Sequence, residues 1–119
     1  MNRFIGKTFS KVFKKKEWDR TGNDAILFYQ GKELVYALSH WQSCYESVYI
    51  ESIVGSLKDL QNTSILLAEE VSSGGNRTPD GSETWTFYKF ATRKGYVDIR
   101  FFGESNGYYS EEASIIDCR

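Results

Sequence analysis

The sequence predicts an α+β fold that is predominantly β: an antiparallel, meander-like sheet of six or seven strands with one short helix at about residues 56–62. Three observations carry this expectation. Short runs rich in Val, Ile, Phe, Tyr and Thr are punctuated by Gly, Asn and Asp. Gln30-Gly31-Lys32, Lys94-Gly95 and Asn106-Gly107 each fall between two such runs, as hairpin turns do. Helix-boundary signals occur together at only one place, around residue 56. The chain of 119 residues, 40% hydrophobic and 16% aromatic, suits a single domain over 1–119 and excludes a wholly disordered chain.

The elements follow in order. Residues 5–13 fit a strand alternation, and also a basic amphipathic helix with Phe4, Ile5, Phe9, Val12 and Phe13 on one stripe. Gly6 and the β-favouring Thr8, Phe9, Val12 and Phe13 favour the strand. Lys14, Lys15 and Lys16 read as a solvated turn, and residues 18–24 have turn composition. Residues 25–29 and 33–38 form a hairpin around Gln30-Gly31-Lys32, and 48–53 is a further strand. At 55–62, Ser56 can cap a short helix, Asp59 stands at the capping-box position and Asn62 can end it. Residues 65–71 make another strand. Residues 72–83, with three glycines and the only proline, read as a flexible loop.

The run 84–102 is the most informative. With Lys94-Gly95 as a two-residue turn, Thr92 faces Val97, Phe90 faces Ile99 and Tyr88 faces Phe101. Tyr88, Phe90, Val97, Ile99 and Phe101 then share one apolar face. The opposite face carries Trp85, Phe87, Lys89, Asp98, Arg100 and Phe102, a mixture of aromatic and charged groups unlike an ordinary solvent face. A last strand runs from Tyr108 to about Ile116.

The formal charge of −1 hides an uneven distribution. Residues 1–20 sum to +5 and the remaining 99 to −6. Lys14, Lys15 and Lys16 could contact a phosphate backbone, although the acidic body behind them would repel a long duplex. No run is long and apolar enough for a membrane helix, no signal-peptide pattern opens the chain, and two cysteines, Cys44 and Cys118, make no disulfide framework. The expectation is a cytoplasmic protein without membrane contact.

Chemistry-bearing motifs are sparse. His40 and Cys44, with Glu46 or Cys118, have ligand-type spacing, but no C-x-x-C pair accompanies them, so no metal and no cofactor are expected. On a strand-like segment the His40 imidazole and the Cys44 thiol would not meet as base and nucleophile. Gly74-Gly75 and Gly103 to Gly107 lack the helix and Lys of a phosphate loop. No catalytic residues are assigned, and the chain is read as not an enzyme. Nineteen aromatics remain as the signal, because Tyr and Trp supply rigid contact area with a polar handle.

Three stretches resemble a family of small phage and prophage-encoded proteins, a domain of unknown function. The first is Cys44-Tyr45-Glu46-Ser47-Val48-Tyr49-Ile50-Glu51 with Gly55-Ser56-Leu57-Lys58-Asp59-Leu60, and the second is Ala68-Glu69-Glu70. The third is Thr84-Trp85-Thr86-Phe87-Tyr88-Lys89-Phe90-Ala91-Thr92-Arg93-Lys94-Gly95-Tyr96-Val97-Asp98-Ile99-Arg100, continuing into Gly103-Glu104-Ser105-Asn106-Gly107-Tyr108-Tyr109-Ser110. The chain departs from the family pattern at Ser43 and Tyr45, which weighs against a Cys-based role. The resemblance implies a bacteriophage setting, in which small accessory proteins commonly bind and block host machinery, defence systems included, as anti-CRISPR proteins do.

The resulting expectation is a non-catalytic binding protein that inhibits or modulates a host protein. Trp85, Phe87, Lys89, Arg100, Tyr108 and Tyr109 would make the contact. A nucleic-acid-binding module using Lys14, Lys15 and Lys16 is the first alternative, and a small-ligand or nucleotide-sequestering domain the second. Partner identity and oligomeric state are outside what the sequence fixes.

Overall fold

The computed structural model describes residues 1–18, 23–40, 46–78, 81–105 and 113–118. Among them the fold is predominantly β, with eight strands in two antiparallel sheets of four. The strands are β1 (Lys11–Trp18), β2 (Asn23–Gln30), β3 (Glu33–Ser39), β4 (Glu46–Val54), β5 (Leu67–Thr78), β6 (Gly81–Thr92), β7 (Gly95–Ser105) and β8 (Ser114–Asp117). The first sheet has the order β1-β2-β3-β8 and the second β4-β7-β6-β5. In each, a three-strand meander gains a fourth strand: β4 lies beside β7, giving the second sheet Greek-key order, while β8 extends the first beside β3. β8 is therefore no continuation of the β5–β7 meander. It crosses to the other sheet and pairs with β3, setting Ile116 opposite Ala37.

Two sheets arise instead of one because two apolar faces must be hidden. Ile26, Phe28, Val35, Tyr36 and Leu38 line the inner side of the first, and Val48, Ile50, Tyr88, Phe90, Val97, Ile99 and Phe101 that of the second. Packed face to face they exclude water from both. The N-terminal segment sits between them. Rather than a strand over 5–13, residues Asn2–Phe4 form a 3-10 turn that drives Phe4 into the core. The Phe4 ring centroid lies 5.0 Å from Phe28, 4.8 Å from Tyr36 and 5.3 Å from Phe90, touching both sheets at once. Thr8 and Phe9 make only isolated bridges to Ser64 and Gln61.

β1 begins later than expected and runs through Lys14, Lys15 and Lys16, which are strand residues and not a turn. Lys14 and Lys15 pair with Ile26 and Ala25 across β2, so the β2 ladder overrides the local polarity of the run. The 55–62 helix reduces to a 3-10 turn, Leu57–Leu60, in which Ser56 makes no side-chain cap bond. Residues 72–83, expected as a loop, are mostly the distal halves of β5 and β6, whose pairing persists to Thr78 opposite Gly81. Gly74 and Gly75 are absorbed as an irregularity between the Ser73–Trp85 and Asn76–Glu83 pairs, so the glycines mark a bulge.

The β6–β7 hairpin turns at Arg93-Lys94, one position earlier than expected. Thr92 pairs with Gly95, Phe90 with Val97 and Tyr88 with Ile99. The register differs from expectation by two residues, an even number, so the apolar face is unchanged and all five of its residues are buried. Contacts from outside the hairpin accompany this choice. Thr92 Oγ1 donates to the Asp59 carbonyl at 2.6 Å and accepts from Lys94 N at 3.1 Å, while Lys94 Nζ donates to the Gln61 carbonyl at 2.8 Å. Of the expected last strand only Ser114–Asp117 is strand among the described residues; the Asn106-Gly107 turn lies outside them. No helix among the described residues is long and apolar enough to cross a membrane.

Gly55, at φ +96°, lets the chain leave β4 beneath β7, where an added Cβ would collide with the Tyr96 carbonyl oxygen. Gly55→Ala is expected to cost at least roughly 1–3 kcal/mol in urea unfolding. Phe4→Ala should cost about 3–5 kcal/mol by the same measurement. Tyr96→Ala, at a side chain 70% exposed, should stay within about 0.5 kcal/mol.

Candidate interaction surface

Period-two alternation along β6 and β7 sends every second residue of the second sheet away from the core. The expected outer set is thereby brought together: Trp85 opposite Phe102, Phe87 opposite Arg100 and Lys89 opposite Asp98. β5 adds Val71 beside Phe87 and Glu69 beside Lys89, and β4 adds Tyr49 beside Phe102.

The aromatic rings form a connected row. Trp85 and Phe102 lie 4.7 Å apart between centroids, Tyr49 and Phe102 5.7 Å, and Trp85 stacks at 16° on Phe87. Arg100 lies across them, its Cζ 5.6 Å from the Trp85 ring and 5.4 Å from Phe87, where the ring faces attract the cation. A register shift in β4 between Ile50 and Ser52 leaves Glu51 as the extra residue. Its carboxylate accepts from Arg100 Nη1 at 3.5 Å. Beside this pair, a groove of about 380 Å³ runs over Phe87 and Lys89 between Val54 and Val71. Val54 and Val71 are 64% and 58% exposed, so the groove is walled by side chains that solvation alone would not place there.

This surface and nearly all of the fold are built from residues that a single family model spans: one described as a domain of unknown function, DUF7448, matches residues 2–115. The chain belongs to that family. No curated protein and no solved structure matches it.

In this DUF7448 chain, Trp85, Phe87, Lys89 and Arg100 share one outer face, whereas Tyr108 and Tyr109 lie outside the described residues. Lys14, Lys15 and Lys16 are exposed on β1, in the other sheet. His40 is buried, its carbonyl accepting from Asn23 Nδ2 at 3.2 Å, and Cys44 lies outside the described residues. Sequence reasoning missed Glu51, because a bulge is invisible to a period-two count. It also missed Val54 and Val71, whose signal was their place in the alternation of β4 and β5.

The Glu51–Arg100 pair is exposed, with side chains 38% and 48% accessible, so water screens it. Glu51→Gln is expected to change stability by less than about 0.5 kcal/mol in thermal or urea unfolding.

Proposed function

We propose that this is a non-catalytic binding protein that uses the outer face of its second sheet to hold, and thereby block or modulate, another protein. The observation that carries the reading is Arg100, poised over Trp85 and Phe87 at the centre of a partly exposed aromatic row. Arg and aromatic side chains clustered on rigid strands are the groups that dominate binding energy at protein interfaces. Around them stand Glu51, Glu69, Asp98 and Glu104 against Lys89 and Arg100, an acidic balance that favours a partner with an apolar centre and a basic rim. The same carboxylates disfavour sequestration of a nucleotide in the groove. No His or Cys stands among the described residues of this face.

In the phage-type setting that the sequence motifs imply, the partner is a host protein met in the cytoplasm, with components of defence systems the first class to screen. The test is affinity capture from bacterial lysate, followed by measurement of Kd with the purified candidate. Arg100→Ala is expected to weaken binding by roughly 2 kcal/mol, about 30-fold, and Phe87→Ala with Arg100→Ala to abolish capture. A partner held equally well by the folded double variant would remove this face from the interface.

A further inference from the structure

The outer face of the first sheet plays no part in that reading, and it has the opposite electrostatic character. β1 is the edge of its sheet, and Lys11, Lys14, Lys15 and Lys16 are all exposed along it. The register aligns Lys11 with Tyr29, Phe13 with Leu27 and Lys15 with Ala25. Lys11, Phe13 and Lys15 therefore share the outward side of β1, over roughly 13 Å at the usual strand rise. The Phe13 and Tyr29 rings stack at 10° with centroids 5.7 Å apart, and Lys11 Nζ lies 5.0 Å from the Phe13 centroid. Trp18, at the end of the same strand, packs on the same outer cluster; all three rings are only partly buried.

Carboxylates are sparse along this edge. Glu17 is the only one on β1, and Asp117 sits on the opposite edge strand, β8. Asp24 is engaged elsewhere, its Oδ2 accepting from Ile50 N at 3.1 Å.

We propose that this face is a binding site for single-stranded nucleic acid. Lys11 and Lys15 would take backbone phosphates, and Phe13, Tyr29 and Trp18 would offer ring surfaces on which unpaired bases stack. A cationic track beside aromatic platforms is the arrangement that single strands require. A duplex keeps its bases stacked on one another, so it could use the lysines alone, against the repulsion of the acidic second sheet.

The experiment is fluorescence anisotropy with labelled oligothymidylate, oligouridylate and a DNA duplex of equal length. Binding of either single strand at low salt is expected, tighter than the duplex. Its log–log salt slope should be about −1.4 if Lys11 and Lys15 each hold one phosphate. Comparing the two single strands tells DNA from RNA preference. Phe13→Leu keeps apolar packing but removes the ring face, and should weaken single-strand binding about tenfold without changing the salt slope. Lys11→Glu with Lys15→Glu should abolish binding; these substitutions keep charge on the edge, so strand-to-strand aggregation is not introduced. Circular dichroism reports whether each variant folds. Phe87→Ala with Arg100→Ala should leave nucleic-acid binding unchanged, which separates this site from the protein-binding face. Absence of single-strand binding at low salt would overturn the proposal. So would duplex binding as tight as single-strand binding, Phe13→Leu without effect, or competition by polyglutamate as strong as by unlabelled oligonucleotide.

Discussion

The whole structure depends on one wedge, the Phe4 ring held between the two sheets. Its neighbours Phe28 and Tyr36 belong to the first sheet and Phe90 to the second, and Phe9 closes the cluster at 6.0 Å. Tilted and edge-on ring contacts of this kind add a directional term to burial, so the wedge also biases how the sheets sit on one another. It is kept in place by the backbone. Gly6 N donates to the Ile65 carbonyl, Ile65 N to the Lys7 carbonyl and Asn62 N to the Phe9 carbonyl, at 2.7 to 3.0 Å. A segment without regular strand pairing is thus fixed to the β4–β5 connection, and its buried backbone groups find partners there.

The second constraint is how the sheet edges are treated. Edge strand β4 has its outward N–H groups of Val48 and Ile50 taken by Asn23 Oδ1 and Asp24 Oδ2, at 3.4 and 3.1 Å. Two side chains at the start of β2 thereby lock one sheet to the other and cover the edge. Edge strand β1 is handled differently, by four exposed lysines. The consequence is a molecule with two unlike outer faces, one aromatic and acidic around Arg100, the other aromatic and basic along β1. The aromatic content divides accordingly. Phe4, Phe9, Phe28, Tyr36, Tyr88, Phe90 and Phe101 are in the core, and the other described rings all lie outside it.

Much of this was legible in the sequence. The β6–β7 faces were readable because side chains alternate strictly, and a register displaced by two residues leaves every one of them on its face. The hairpin around Gly31 was readable because a two-residue turn at φ +64° suits glycine. Other features were not. Gly74 and Gly75 look like a loop because glycine tolerates either conformation, and only pairing with β6 keeps the strand extended. The lysines of β1 look like a turn because local polarity says nothing of a neighbouring strand that holds them. Glu51 reaches Arg100 only through a bulge, which depends on the partner strand.

The sequence by itself determined that the chain is mostly β, where most strands run and which side chains leave the core of β6 and β7, because those properties follow from local propensity and from alternation. The tertiary structure decided which strands pair, that β8 joins β3, that the chain closes as two sheets and that the hairpin turns at Arg93-Lys94. These depend on long-range contacts: the Phe4 wedge, the Asn23 and Asp24 links to β4, and the Thr92 bond to Asp59. Contacts between residues far apart in the chain leave no periodic trace in it, and so they are visible only once the fold has formed.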